Sequence, residues 1–206
     1  MPITTAHSIL SLPEAVRDLQ AQCGDCKPKF ILFFASTKYE PRSLSEQLWA
    51  AFPGTCIVGC SSAGEIASAK MMTGALVAMF FPADAVEDAS AAVVKDLHSE
   101  VHVREVFAEF ERHYGQPASS LSLGQHVGLV LVDGLSGAEE RLMEKIGDYS
   151  DILFVGGAAG DDLKFCKTHV YCDGKAYSDA AVLVLLRLKN GYEILKTQSF
   201  QLSAGS

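Results

Sequence analysis

Two short turns of glycine and other small residues are the segments of this sequence best suited to binding a ligand. Residues 58–65 read VGCSSAGE and residues 155–162 read VGGAAGDD. Glycine lets backbone N–H groups approach a ligand closely, and ligands of α/β proteins bind beyond the carboxyl ends of strands. Each turn follows an apolar run of strand type, so we expect a small-ligand site there. Its candidate residues are Gly59, Cys60, Ser61, Ser62, Glu65, Asp133, Gly156, Gly157, Asp161 and Asp162.

Carboxylates dominate the polar part of this candidate set. Glu65, Asp133, Asp161 and Asp162 all follow apolar runs, and if they converge they would hold an ammonium group or a cation. The alternative is that the glycines serve tight packing and the carboxylates cap helices or turns. The sequence leaves both interpretations open.

Nucleophilic catalysis finds little support in the first turn. Residues 59–63 (GCSSA) are similar to the G-x-S-x-G pattern of hydrolases, but Ala63 replaces the last glycine. The second turn has Ala158 at the position of Ser61, and no histidine is tied to either turn. Cys60 has two interpretations. It is either a redox-sensing thiol whose pKa is lowered by a nearby helix N-terminus, or a small buried residue that acts as an apolar side chain. We expect no enzyme activity.

Metal and nucleic-acid functions are also disfavoured. Cys23 and Cys26 form one C-x₂-C pair, but a closed zinc site needs two more ligands, and no second pair has that spacing. The 17 basic residues are scattered among 25 acidic ones, giving a net charge of −8. A nucleic-acid groove requires a basic patch, so none is expected.

Strand-like and helical segments alternate along the chain. Continuous apolar runs of strand length, such as residues 30–36 and 180–188, indicate strands covered on both faces. Ser43 with Glu46 and Ser136 with Glu139 match the capping-box pattern of a helix start. The pattern predicts an α/β fold with layered mixed sheets and helices. The helices are predicted at 10–22, 43–52, 99–114 and after 136, the strands at 30–36, 56–65, 74–81, 86–97, 127–133, 152–162, 168–172 and 180–188, with 192–200 also extended.

Two blocks of the sequence recur at one offset. Residues 30–36 align with 127–133, and residues 58–65 align with 155–162, both displaced by 97 positions. Equal spacing of a strand and a glycine turn predicts two related β-α-β-turn units. We therefore expect one domain over residues 1–206, with repeat halves at 28–97 and 126–190.

Three ordered motifs carry a family resemblance. The segments VGCSSAGEI (58–66), LVLVDGLSGAEERLM (129–143) and FVGGAAGDDLKF (154–165) resemble the FIST N-terminal domain, and the resemblance covers roughly residues 28–190. It implies an intracellular sensory domain of a signal-transduction protein that binds a small molecule such as an amino acid. The implied partners are a FIST C-terminal half and a signalling output domain or histidine kinase. Because the sequence ends at Ser206, we expect that C-terminal half to be absent.

The same resemblance implies haem as an alternative ligand, since some relatives are described as haem-based nitric oxide sensors. Haem needs an axial ligand in an apolar pocket, and without a C-x-x-C-H motif it would be bound non-covalently. The sequence does not select among the candidate ligands, and a ligand-free interaction scaffold is a further alternative. The candidate histidines are His98, His102, His113, His126 and His169.

The sequence shows neither a membrane-spanning segment nor a secretory signal, which bears on the cellular compartment. The longest apolar run, residues 180–186, is far below the ~20 residues that cross a bilayer. The N-terminus has neither a basic start nor a long apolar stretch. We expect a soluble cytoplasmic protein with free cysteines and no membrane contact.

Overall fold

The structure is a computed structural model that describes residues 2–67 and 69–195. Helices and strands alternate through this part of the chain. The helices are α1 (Leu12–Cys23), α2 (Pro41–Ala51), α3 (Arg104–Tyr114) and α4 (Glu139–Gly147). The strands are β1 (Thr4–Ser8), β2 (Pro28–Ser36), β3 (Cys56–Ser62), β4 (Glu65–Ala67), β5 (Lys70–Met72), β6 (Leu76–Pro82), β7 (Val86–Lys95), β8 (His126–Val132), β9 (Phe154–Ala158), β10 (Val170–Cys172), β11 (Lys175–Tyr177) and β12 (Ala180–Leu188).

The strands form two main sheets and one small hairpin. The first sheet has the order β1-β6-β2-β3-β10-β11, and the second has the order β7-β12-β8-β9. In each sheet one strand pair is parallel, β2 with β3 and β8 with β9, and the other pairs are antiparallel. Strands β4 and β5 pair with each other in a separate two-stranded sheet. The predicted α/β class with mixed sheets and helices is confirmed.

Helices cover the outer faces of the sheets, and the inner faces pack on each other. On the first sheet, Leu19 of α1 and Leu44 of α2 share one buried cluster with Phe33. On the second sheet, α3 and α4 enclose a cluster that includes Val130 and Val132. Between the sheets lies a third apolar cluster, in which Val58 of β3 packs with Val182 of β12. The layers are therefore helix, sheet, sheet, helix, which explains why the central strands are apolar on both faces.

The two sheets contain the same arrangement of strands. The order β1-β6-β2-β3 of the first sheet corresponds to β7-β12-β8-β9 of the second, with matching directions. Each parallel pair is joined through one helix, α2 or α4, as parallel strands require a crossover. A common origin of the two units, and the repeat halves 28–97 and 126–190, remain predictions.

Both predicted capping boxes are wrong. Helix α2 begins earlier, at Pro41, because the carboxylate of Glu40 accepts the N–H groups of Arg42 and Ser43 at 3.1 and 2.7 Å. Helix α4 begins after Ala138, and the hydroxyl of Ser136 instead donates to the carbonyl of Asp133 at 2.7 Å. Strands β1, β4, β5 and β11 were not predicted from the sequence, since they are short and carry little apolar signal. In the predicted extended segment 192–200, residues 192–195 form no strand, and residues 196–200 lie outside the described residues.

Candidate functional site

A cavity of about 510 Å³ lies between the two sheets, where their inner faces separate around the ends of β3 and β9. We call it the inter-sheet cavity. One wall is formed by alternate residues of β2 and β3, including Leu32, Phe34 and Cys60. The opposite wall is formed by β8 and β9, including Leu129, Leu131 and Val155. The cavity is thus mostly apolar, and the turn 61–64 and the small residues 156–158 and 160 also line it.

Five of the ten candidate residues line this cavity. They are Cys60, Ser61, Ser62, Gly156 and Gly157. The two glycine turns therefore lie on opposite walls of the same space, although they belong to different sheets. Gly59, Glu65, Asp133, Asp161 and Asp162 are not among the lining residues.

The first turn is held in place by its own side chains. Ser61 is almost fully buried, and its hydroxyl oxygen accepts the backbone N–H of His169 at 2.9 Å. The hydroxyl of Ser62 donates to the Glu65 carboxylate at 2.6 Å. In the described part of the chain, the N–H groups of Ala63 and Gly64 donate to no acceptor. The turn therefore offers backbone donors at the cavity rather than a free nucleophilic hydroxyl.

Glu65 acts as a buried structural acceptor. Only 1% of it is exposed, and its second carboxylate oxygen accepts the N–H of Ala75 at 3.0 Å. Together with Ser62, this contact ties the turn after β3 to the start of β6. Both oxygens of the carboxylate are satisfied within the protein, as burial of such a group requires.

Asp133, directly after β8, has a similar role. Its carboxylate accepts the hydroxyl of Thr168, the N–H of Asp179 at 2.5 Å and the N–H of Leu135 at 3.0 Å. It is buried and joins the end of β8 to the chain before β10 and β12. The carboxylate thus organises a chain junction instead of facing the cavity.

Asp161 and Asp162, at the end of the second turn, accept hydrogen bonds from different segments. Asp161 accepts the N–H groups of Cys166, Lys167 and Phe165 at 2.6–3.0 Å, which lower the pKa of its carboxyl. Asp162 accepts the hydroxyl of Thr37 at 2.6 Å, and the Lys164 ammonium donates to the same hydroxyl oxygen at 3.1 Å. The four candidate carboxylates therefore meet separate donors in the structure. This arrangement agrees with the alternative in which they stabilise turns.

The thiol of Cys60 lines the cavity but is poorly suited to redox chemistry. Burial raises the pKa of this thiol to about 12, so it stays protonated at neutral pH. Cys60 lies in the middle of a strand rather than at a helix N-terminus. The geometry therefore matches the small apolar residue of the two interpretations.

The described residues include no cluster of metal ligands. Cys23 and Cys26 are both buried, and the Cys23 thiol donates to the carbonyl of Cys26 at 3.6 Å. Within residues 2–67 and 69–195, no three His, Cys, Asp or Glu side chains are placed to share a metal ion.

The candidate haem ligands lie away from the inter-sheet cavity. His98 and His113 pair with Asp179 and Asp88 through contacts of 2.5 and 2.9 Å. His102 is exposed, beside Glu100. The ring of His169 is half-buried, which lowers its pKa, and it stacks on Tyr171 at 6.3 Å.

His126 is the remaining candidate and is buried at the start of β8. Its Nδ1 lies 3.0 Å from the carbonyl oxygen of Ser122, and its buried Nε2 has no hydrogen-bond partner among the described residues. It does not line the cavity. Because no described histidine reaches the cavity and Cys60 is a neutral thiol, the lining residues do not fit haem.

Sequence reasoning missed the apolar walls of the site. Leu32 and Phe34, and Leu129 and Leu131, are alternate residues of β2 and β8 and therefore share one face of each strand. That period-2 spacing was visible, but both faces of the central part of each strand are apolar. The sequence alone did not tell the cavity face from the helix face.

Comparison with known proteins agrees with the motifs. Among the described residues, no helix is both long and apolar enough to cross a membrane. No curated protein matches the chain. The FIST N domain family matches residues 29–204, which is most of the sequence. The chain therefore belongs to the FIST N domain family.

Proposed function

We propose that this chain binds a small, largely apolar metabolite, such as an apolar amino acid, in the inter-sheet cavity. In this proposal the chain is the sensory part of a cytoplasmic signal-transduction protein. Membership of the FIST N domain family suggests a sensory domain. The observation that carries the proposal is the cavity of about 510 Å³, a size typical of small-molecule sites.

The lining indicates which parts of the ligand are recognised. Apolar walls from Leu32, Phe34, Leu129 and Leu131 suit an aliphatic or aromatic side chain. The N–H groups of Ala63 and Gly64, which have no acceptor in the described part, suit a carboxylate. The lining residues include no carboxylate to bind an ammonium group. Recognition would therefore rest on the ligand's carboxylate and apolar body.

Signal transfer would use the contacts between layers. The Thr37–Asp162 hydrogen bond joins the end of β2 to the segment after β9, next to the cavity. A ligand between the sheets would shift the spacing of these segments. The receivers in this proposal are a FIST C-terminal domain and a signalling output domain or histidine kinase.

Ligand-induced thermal stabilisation tests the proposal. The melting temperature would be measured with apolar amino acids and with the matching carboxylic acids that lack the amino group. We expect both classes to raise it, because bound ligand stabilises the folded state by mass action.

A cavity-filling variant supplies the specificity control. Gly157 pairs with Leu131 and so faces the inter-sheet cavity, and a Cβ there meets no atom within 4 Å. Gly157→Leu should fill the cavity and abolish the ligand-dependent shift. Gly124→Leu, at an equally open position outside the cavity, should leave it intact. Equal stabilisation of both variants, or no stabilisation of the unaltered chain by any ligand, would contradict the proposal.

A further inference from the structure

Among the described residues, strand β9 lies at the end of the second sheet and pairs only with β8. The N–H of Ala159 donates to the Val132 carbonyl at 2.8 Å, and the N–H of Gly128 donates to the Leu153 carbonyl at 2.9 Å. In a parallel pair these bonds alternate, so residues 155 and 157 also bond to β8. The N–H and C=O groups of Gly156 and Ala158 therefore point away from the sheet. Residues 155–158 are solvent-exposed.

In the first sheet, the matching edge is covered. Gly59 of β3 pairs with Phe33 just as Gly156 of β9 pairs with Val130. Strand β10 runs antiparallel to β3 and places Tyr171 opposite Gly59. Tyr171 is 2% exposed, and its ring centroid lies 5.2 Å from that of Phe33, on the helix side of the sheet. The place beside β9 that β10 takes beside β3 holds no strand in the described part of the chain.

Cavities flank β9 on both faces. The inter-sheet cavity lies on the inner face, and a second cavity of about 290 Å³ lies between β9 and α4, lined by Val130, Leu142, Met143 and Phe154. We call this one the outer cavity. Gly156, Gly157 and Ala158 border both. Because successive side chains of a strand point to opposite faces, a strand added to β9 would fill both cavities in turn.

We propose that β9 binds an extended segment of a partner polypeptide by antiparallel strand addition. A large apolar or aromatic side chain of this segment, opposite Gly156, enters the outer cavity. It takes the place that the Tyr171 ring takes opposite Gly59 in the first sheet. Smaller apolar side chains on either side face the inter-sheet cavity, as Val170 and Cys172 face the inter-sheet core beside β3. The edge amides supply affinity, and the two cavities supply side-chain specificity.

A second copy of β9 fits this edge less well. Antiparallel pairing of two β9 strands centred on Gly156 places glycine opposite glycine and leaves the outer cavity empty at that position. The occupant is therefore a segment of different sequence. The inference does not depend on a small ligand in the inter-sheet cavity.

Peptide binding to the full chain tests the inference. The probe is a fluorescein-labelled peptide, Lys-Thr-His-Val-Tyr-Val-Asp, which copies residues 167–173 with valine in place of Cys172. We expect saturable binding by fluorescence anisotropy, and slower hydrogen exchange at the amides of Gly156 and Ala158. A control peptide with serine in place of the tyrosine should bind about tenfold more weakly, since it leaves the outer cavity unfilled.

Two variants of the chain locate the peptide. Ala158→Pro removes an outward N–H while the bonds of residues 157 and 159 to β8 remain, so it should weaken binding about fivefold to tenfold. Met143→Asp places a charge in the outer cavity without changing β9 and should also weaken binding about tenfold. Met71→Asp, at an exposed methionine on β5, is the control and should change nothing. Each variant's melting temperature checks that it is folded.

Other outcomes would overturn the inference. Absence of peptide binding, or binding unaffected by both Ala158→Pro and Met143→Asp, would remove the proposed site. Amides of Gly156 and Ala158 that are already protected in the free chain would show an edge covered without a partner. Hydrogen exchange at lower protein concentration would then identify what covers the edge. Protection of these two amides that is lost on dilution would indicate a second copy of the chain, and protection that persists would indicate the chain's own residues 196–206. The ligand-induced rise in melting temperature, and its loss in Gly157→Leu, do not depend on these results. The small-ligand proposal and the strand-addition proposal can therefore fail separately.

Discussion

Gly59 and Gly156, 97 residues apart, occupy matching positions in the two sheets. In each case a Cβ would collide with the carbonyl oxygen of the paired residue, Phe33 or Val130. Glycine is thus required at both positions by the close approach of a neighbouring strand. These two glycines, which the sequence predicted as ligand-binding residues, therefore have a packing role.

The first prediction compares neighbouring glycines of β9. Gly156→Ala should lower the free energy of unfolding by about 1–3 kcal/mol, because the methyl group must displace the backbone of Val130. Gly157→Ala is the control, since its Cβ meets no atom within 4 Å, and it should be neutral or slightly stabilising. Urea denaturation of both variants checks this. Equal losses of unfolding free energy in the two variants would show that the close approach of the Val130 backbone to Gly156 does not affect stability.

The second prediction concerns the buried carboxylate of Asp133. Asp133→Asn should cost about 2–3 kcal/mol of stability, because the amide group replaces one acceptor oxygen by a donor facing other donors. Asp151→Asn, at an exposed position, should change stability by less than about 0.5 kcal/mol. Chemical denaturation measures both. A ligand role for Asp133 without a structural one would instead leave its stability unchanged.

The third prediction is a loss of stability at alkaline pH. Burial raises the pKa of the Cys60 thiol from 9.0 to about 12, so the folded state keeps a proton that the unfolded state releases. This contribution is fully present below pH 9 and is lost as pH rises toward 12, at up to about 1.4 kcal/mol per pH unit. In Cys60→Val the decline between these values should be shallower. Cys166→Ser, at an exposed cysteine, should leave it unchanged in pH-dependent denaturation.

The fourth prediction concerns backbone strain after the second turn. Leu163 is 75% exposed and has a φ of 61°, a left-handed conformation that is unfavourable for a leucine. Leu163→Gly should therefore keep or raise stability, by up to about 1 kcal/mol, although it removes a side chain. Ile66→Gly, at a similarly exposed residue of β4, should lower stability by about 1 kcal/mol. Thermal melts compare the two variants, and a destabilised Leu163→Gly would argue that the leucine makes contacts that matter.

The sequence by itself determined the α/β fold class and the alternation of strands and helices. Continuous apolar runs of strand length, such as those of β2 and β12, indicate strands covered on both faces, and the amphipathic segments along the chain indicate the covering helices. The two glycine turns were also identified, because small residues after an apolar strand leave a local signal. These features depend on neighbours within a few residues along the chain.

Only the tertiary structure decided what the candidate residues do. Two of the three donors to Asp133 belong to Thr168 and Asp179, 35 and 46 positions away, so no local pattern could show that both carboxylate oxygens are already occupied. The cavity walls depend on which face of β2 and β8 turns toward the other sheet, and both faces are apolar. Among the described strands, β9 has no second neighbour because β10, which follows it along the chain, pairs with β3 instead. Burial and pairing across distant segments are properties of the packed chain, and they decide which candidate residues line the cavity and which form hydrogen bonds within the protein.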